Sequence, residues 1–438
     1  MILMSAISSD QIGKKGLKVK IIAILVFVLV IGLIISEKVH RAAAALAGAV
    51  VLILTGVMSG QKALSYIDFN TIGVLVGMMI LVAVIRQSGL FEYVAIKAAK
   101  AVHGDPWKIM IAFILITAAL SGILDNVTTV LLVGPMTIAI ARMLEINPVP
   151  FLTTQILASN VGGTATLIGD PPNIMIGSAA NLSFMDFIAN TGAAVVLILV
   201  FMIIMMKFVY KKEIEVSGLD TSKIMSLDPD KSITDKPLLI KGVVVIGLVI
   251  VGFILHDKLG LESSVIALTA AAIMLIIGKQ SVDNAIQDVE WTTIIFFMSL
   301  FVVVGGLTET GVIKQMAAVV IDKTAGHPVI MMLILLWASA ILSSFLDNIP
   351  FVATLIPLVL ALKAGGMDVE PLWWSISLGA CLGGNGTMIG ASANVVLSDI
   401  STKHGYPITF KSYLRIGMPF MLGSVAISMI FLLVKYAM

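Results

Sequence analysis

Residues Ser121–Pro135 read SGILDNVTTVLLVGP, and residues Ser343–Pro357 read SSFLDNIPFVATLIP. Each holds an Asp-Asn pair inside an apolar run, and the two pairs are 222 residues apart. Sliding the chain on itself by that distance aligns Ser88–Pro135 without a gap, with 13 identities in 48 positions. Gly104/Gly326, Pro106/Pro328, Ser121/Ser343, Asp125/Asp347, Asn126/Asn348 and Pro135/Pro357 are among them. Shared apolar composition does not match Asp, Asn and Pro. At a shift of 221, GGTATLIGDPPN (Gly162–Asn173) meets GGNGTMIGASAN (Gly383–Asn394) with six identities in twelve. The chain is a two-fold internal repeat, a mark of secondary transporters.

The medium in which the repeat folds follows from composition. Of 438 residues, 59% are apolar and 12% charged, against about half and a quarter in soluble domains. This excludes a soluble enzyme, a disordered chain and a nucleic-acid binder. Long unbroken apolar runs such as Ile21–Ile35, Ala42–Val57, Leu238–Leu255 and Met418–Val434 must satisfy their backbone within the segment, so they are helices rather than barrel strands. At about 20 residues per span the apolar complement allows at most about 13 helices. The first run, preceded by Lys14, Lys15, Lys18 and Lys20, competes with a signal-peptide reading. A second span follows after only Ser36–Arg41 and favours a helical hairpin instead. The lone Cys381 excludes an intramolecular disulfide framework, and the five histidines lack metal-ligand spacing.

These features predict an all-α polytopic membrane protein. It has two inverted-topology repeats, about 10 transmembrane helices, two re-entrant hairpins and two unwound helices. The expected order is a polar N-terminal segment (1–20), repeat 1 (21–210), a hydrophilic linker (211–237) and repeat 2 (238–438). The hairpins fall at about 107–143 and 328–363, the broken helices at about 150–181 and 371–400. An odd number of spans per half turns the second half upside down. Lys/Arg placement favours a cytoplasmic linker.

Asp125 and Asp347 are functional candidates because intramembrane acids are costly and seldom idle. The competing reading is helix capping. Both hold together, since a half-helix N-terminus also presents free N–H groups to an anion. Thr128 and Thr129 add hydroxyls at the first tip, where the second has Pro350 and Phe351. Gly162, Gly163 and Gly169 with Pro171 and Pro172, and less sharply Gly383, Gly384, Gly386 and Gly390, predict unwound backbone, which is tolerated at bilayer depth only when it lines a cavity or is buried in protein. Close helix packing through small residues is the alternative for the glycines. Thr164, Thr166, Asn173, Asn385, Thr387 and Asn394 supply neutral hydrogen-bonding groups. Asp170 has Ala391 as its repeat partner, so it is the candidate for a single coupling proton or cation site. Arg86, Glu92, Glu145 and Glu309 read as interfacial, and Lys411 and Arg415 as headgroup anchors. An intramembrane aspartic protease built on Asp125 and Asp170 lacks its Gly-x-Gly-Asp signature. A passive channel is the remaining alternative class.

The pairing of LDNVTT (Leu124–Thr129) with NVGGTATLIGDPPNIMIGSA (Asn160–Ala179), repeated as LDNIPF and GGNGTMIGASANVV, resembles the arsenite-permease/P-protein branch of the ion transporter superfamily. The resemblance runs from about residue 21 to 435. It implies a scaffold part and a mobile part in each repeat, moving elevator-like in a prokaryotic plasma membrane. It places the binding site at Asp125, Asn126, Thr128, Thr129, Gly162–Thr166 and Asp170–Asn173 in the first half. In the second half it places the site at Asp347, Asn348, Gly383–Thr387 and Asn394. It implies arsenite or antimonite efflux, coupled to a proton or membrane-potential gradient, and a homodimer. Sodium/proton antiport and carboxylate symport are the alternatives within the superfamily. No cofactor or resident metal is expected, with H+ or Na+ as the coupling ion. No nucleotide-binding motif is present, so ATP coupling would need a separate ATPase subunit.

Overall fold

The computed structural model describes residues 2–36, 38–214, 219–279, 281–324 and 327–437. Among them the chain is helical, with no strand. The first half holds α1 (Ile2–Ser36), α2 (Arg41–Leu54), α3 (Gly60–Ser65), α4 (Phe69–Arg86), α5 (Leu90–Ala101), α6 (Pro106–Ser121), α7 (Asn126–Met143), α8 (Val149–Gly163), α9 (Pro171–Ala180), α10 (Phe184–Phe187) and α11 (Ala193–Val209). Two short helices, α12 (Lys211–Ile214) and α13 (Ser222–Met225), belong to the linker, of which residues 215–218 lie outside the described residues. The second half holds α14 (Lys236–Leu259), α15 (Ser263–Gly278), α16 (Val282–Gln287), α17 (Trp291–Glu309), α18 (Val312–Thr324), α19 (Pro328–Phe345), α20 (Asn348–Ala364), α21 (Glu370–Gly383), α22 (Ser392–Lys403) and α23 (Phe410–Tyr436).

The helix starts recur at the spacing of the sequence repeat. α2 and α15, α3 and α16, α4 and α17, α5 and α18, α6 and α19, and α7 and α20 each begin 222 residues apart. The pairs α8/α21 and α9/α22 begin 221 apart. Similar local sequences therefore stop and start helices at matching places. Asp68, Asp105, Asp125, Asp235 and Asp347 each accept a backbone N–H of the helix that follows, which satisfies donors that a helix start leaves free.

Among the described residues, seven helices are long and apolar enough to cross a membrane: the apolar part of α1, α4, α7, the α10–α11 rod, α14, α17 and α23. The remaining apolar helices are shorter, among them α2, α6, α15 and α20. A helix of 14 residues such as α2 reaches only about 21 Å, short of the roughly 30 Å hydrocarbon layer. Against the expected count of about ten full spans, the described residues give seven span-length helices, one of them the α7 arm of the first expected hairpin, and several shorter apolar ones. The segment expected as a polar lead (1–20) continues α1 from Ile2. α5 and α18 are connectors that the apolar runs did not reveal.

The polytopic membrane fold shows in which helices are buried. In α8, residues Pro150–Gly163 are all buried, and in α21 so are Pro371–Gly383. These two form the centre. Outer helices turn large apolar side chains outward, with Phe208 76%, Ile276 77% and Leu29 63% exposed. Such surfaces suit lipid and not water. The close approach of α6 to α8 depends on Gly162, where an added Cβ would stand 2.2 Å from the Ala118 carbonyl oxygen. Gly383 meets the Ala340 oxygen at 2.6 Å in the same way.

The linker lies across one end of the bundle. Thr234 N–H donates to the Ser88 carbonyl (3.1 Å), and Lys223 pairs with Glu145 (2.7 Å). Glu145 holds the Lys223 ammonium above its ordinary range, and the hydroxyl and N–H of Ser222 hold Asp220 below its own. Gly89 is required there twice over: its φ is +78°, and a Cβ would lie 1.9 Å from the Ser232 carbonyl oxygen. This end also carries Arg86, which pairs with Asp288 at 2.8 Å.

Candidate functional site

Four helix interruptions meet in the middle of the bundle. Two are the tips between α6 and α7 and between α19 and α20. Two are the glycine-rich stretches between α8 and α9 and between α21 and α22. Each glycine-rich stretch folds back on itself around an asparagine. The Asn173 amide donates to the carbonyls of Gly163 (3.2 Å), Thr164 (3.3 Å) and Thr166 (2.9 Å). The Asn394 amide donates to Gly384 (2.7 Å) and Thr387 (2.9 Å). One side chain thus replaces several lost helical bonds, as buried carbonyls require.

The stretches are fastened to the tips by matching hydroxyls. Thr166 donates to the Gly122 carbonyl (2.6 Å), and Thr387 to the Ser344 carbonyl. Ser121 donates to the Ser159 carbonyl (2.6 Å) and Ser343 to the Ala380 carbonyl (2.7 Å). Thr191, carried by a π-helical turn at Ile188–Gly192, donates to the Thr164 carbonyl (2.9 Å). Thr164 donates to the Asn160 carbonyl of its own helix.

Side chains that face one another form two groups. The first is a buried asparagine network centred on Asn160. It accepts from Asn126 (3.1 Å) and donates to Asn385 and Asn394 (2.9 Å each). It joins both halves. The second group surrounds a cavity lined by Asp125, Asn126, Asp170, Asn348, Arg41, Glu290, Thr293 and Ser392. Asp170 is completely buried, and its carboxylate accepts from the Asn348 amide at 3.3 and 3.4 Å. Among the described residues it has no basic partner.

The predicted residues separate accordingly. Asp125, Asn126, Asp170 and Asn348 line the common cavity. Thr128 is bonded to Asp125 and borders an adjoining cavity with Arg86, Asp288 and Glu290. Asp347 faces a wider, mostly apolar cavity with His40, Arg41, Phe345 and Val396. Gly162 and Gly383 serve close helix approach, and Gly163 lies against Gly169 as Gly384 does against Gly390. Asn173 and Asn394 hold backbone. Among the described residues the Thr129 hydroxyl and the Asn385 amide nitrogen are buried without a hydrogen-bond partner. Cys381 is buried with its thiol 3.6 Å from the Asn173 side-chain oxygen, which also accepts from Ser377 (2.7 Å).

Arg41, Asn160, Glu290, Thr293 and Ser392 were not singled out from sequence. Asn160 opens a quoted motif, and its repeat position holds Cys381, so the repeat gave it no emphasis. Arg41 reads as a helix-end anchor. Only packing shows that its guanidinium lies 5.2 Å over the Phe296 ring and 2.6 Å from Asp347.

Comparison with known proteins agrees with this architecture. The chain is 40% identical to the 46 kDa membrane protein of Mycobacterium leprae, over 95% of this chain and 99% of that protein. It is 33% identical to the P protein of Sus scrofa, over 92% of this chain and 58% of that longer protein. Its fold matches the crystal structure of the YdaH transporter of Alcanivorax borkumensis, with a TM-score of 0.62 at 13% identity, covering 96% of this chain and 99% of that one. The chain is an integral membrane transporter and not an enzyme. The pattern of the citrate transporter family matches residues 31–379, and the chain belongs to that family, within the ion transporter superfamily.

Proposed function

We propose that this transporter works by elevator-type alternating access, with the two tips and two unwound stretches moving as one carrier against a scaffold that includes α2, α4 and α17. The observation that carries the reading is the charge of the cavity. Asp125, Asp170 and Glu290 line it, and the one guanidinium present, Arg41, is already bonded to Asp347. An excess of buried carboxylate is neutralised by taking up a cation or a proton. Asp170, without a basic partner among the described residues and without a repeat counterpart, is the first seat for the coupling H+ or Na+, with Asp125 beside it.

A solute that is neutral when bound suits such a site best. Arsenite is largely the neutral trihydroxide near pH 7, and hydroxyl and amide groups that line the cavity, such as Thr293, Ser392 and Asn126, can bond it. Arsenite or antimonite efflux is therefore the first substrate reading. The second is citrate or another carboxylate, favoured by the family description. It requires accompanying cations to offset Asp125 and Asp170.

Everted vesicles test both. Arsenite, citrate and sodium/proton exchange are measured with and without an imposed pH gradient. Gradient-driven arsenite flux supports the first reading, and gradient-driven citrate flux replaces it with the second. Uncoupled conductance following the electrochemical gradient sinks the carrier mechanism in favour of a channel. Asp170→Asn isolates the coupling site: retention of the pH or sodium dependence removes Asp170 from that role. A homodimer, and coupling to a separate ATPase subunit, are tested by mass in detergent and by ATP-dependent flux.

A further inference from the structure

The two tip carboxylates are satisfied from opposite directions. Asp125 is bonded within its own helix, by the N–H of Thr128 (2.7 Å) and by the Thr128 hydroxyl. Asp347 has no such hydroxyl, because Pro350 occupies the corresponding position. Its partners are the Ile349 N–H (3.1 Å), the Ser392 hydroxyl (3.0 Å) and Arg41 (2.6 Å). Arg41 is the first residue of α2, beside α17, and also reaches Thr293 (3.3 Å) and rests on Phe296. Arg41 therefore stands on the scaffold, while Asp347 and Ser392 stand on the carrier. The position corresponding to Arg41 in the second half is Ser263, so no second such pair exists at the other tip.

The pair cannot survive carrier movement. When the second tip leaves α2, Arg41 stays behind and Asp347 becomes a carboxylate without a counter-charge. The charged and titratable groups lining the cavities around it are Arg41 and His40 on the α2 side, Asp125 at the first tip, Asp170 on the first unwound stretch, and Glu290 before α17. Among the described residues only Arg41 neutralises it by a direct ion pair, and the nearby acids add to its need for a positive charge. We propose that Asp347 exchanges Arg41 for a monovalent cation, H+ or Na+, once per cycle. The cation binds Asp347 when the carrier faces the end away from the linker. Arg41 displaces it on return and so releases it at the linker end. Arg41 is thus a positioning residue for coupling, and the present structure is the state in which it holds the tip.

This inference rests on the alternating-access reading, yet it is tested without knowing the solute. Val396 lines the cavity beside Arg41 and Asp347, at the linker end. Val396→Cys in a Cys381→Ser background is labelled with N-ethylmaleimide in everted vesicles. Sodium is varied at fixed pH in one arm, and pH is varied in sodium-free choline medium in the other. Rates are normalised to the same cysteine with Asp347→Asn, which removes the thiol's own pH response. Added cation should compete with Arg41, free the tip and lower labelling about threefold, as expected for loss of a partly exposed ion pair. The arm that responds names the cation. Arg41→Gln should give low labelling at every cation level, and the double variant Arg41→Asp/Asp347→Arg should restore high labelling. Ile174→Cys, buried at the cavity of the opposite end, should change reciprocally.

No response in either arm overturns the proposal. So does a response kept in Asp347→Asn but lost in Asp170→Asn, or a fall at Val396→Cys without a rise at Ile174→Cys. If gradient-driven flux persists while labelling is flat, the carrier reading stands and the exchange fails. If labelling responds while no tested solute moves, the exchange stands and the substrate assignment fails.

Discussion

The two tips begin as near copies, LDNVTT and LDNIPF, and end with different attachments. Asp125 is closed on Thr128 three residues ahead. Asp347 is held by an arginine 306 positions away in sequence. The asparagines diverge as well: Asn126 reaches Asn160 in its own half, whereas Asn348 reaches Asp170 in the other. One substitution, Thr128 to Pro350, accounts for much of this. A proline offers neither a hydroxyl nor an N–H, so the second carboxylate keeps the Ile349 N–H of its own helix and takes its other partners from other elements. A duplicated motif thus yields one tip that is complete in itself and one that depends on the scaffold.

The strongest test of what the halves share is steric. Gly162→Ala and Gly383→Ala drive a Cβ into backbone of α6 and α19 and should each cost about 3 kcal/mol or more, the upper range of overpacking. Loss of the monodisperse peak in detergent for both variants is expected. A tolerated Gly383→Ala would show that the second half is less tightly closed. Next is the junction between halves. Asn160→Ala leaves Asn126, Asn385 and Asn394 short of a buried partner, worth about 2 kcal/mol, read as a fall in thermal midpoint. The contrast between the tips is smaller. A double-mutant cycle on Arg41 and Asp347 should give a coupling of about 1 kcal/mol, discounted for partial exposure, whereas Arg41 with Asp125 should give none. Thr128→Val should cost about 1 kcal/mol as a lost cap interaction, while Pro350→Thr should reduce the dependence of the second tip on Arg41. Least of all is the exposed Lys223–Glu145 pair. Lys223→Ala should leave the thermal midpoint unchanged, and a clear drop would give the linker a larger part in holding the first hairpin.

How much of this was legible depends on range. Asp125, Asp170 and Asp347 could be picked out because an acid in an apolar run is conspicuous in one dimension. The breaks at 164–170 and 384–391 were visible because Gly and Pro act on local backbone. What those residues touch was not. Asn173 and Asn394, chosen as solute ligands, are occupied with carbonyls of the unwound stretches. Asn160, which joins the halves, sits in a helix with no local anomaly, and Arg41 looks like any basic residue at a helix end. The comparisons widen the substrate question too, since the family is that of citrate transporters and the arsenite reading rests on motif resemblance.

By itself the sequence determined the solvent, the repeat and the positions of the broken helices, because hydropathy, duplication and Gly/Pro punctuation are properties of neighbouring residues. Only the tertiary structure decided which of two equivalent aspartates is tied to the scaffold, which asparagine bridges the halves and which carboxylate meets an amide rather than a basic group. Those outcomes are set by side chains that meet from helices hundreds of residues apart, and in a buried low-dielectric site each polar group must find its partner wherever the fold brings one.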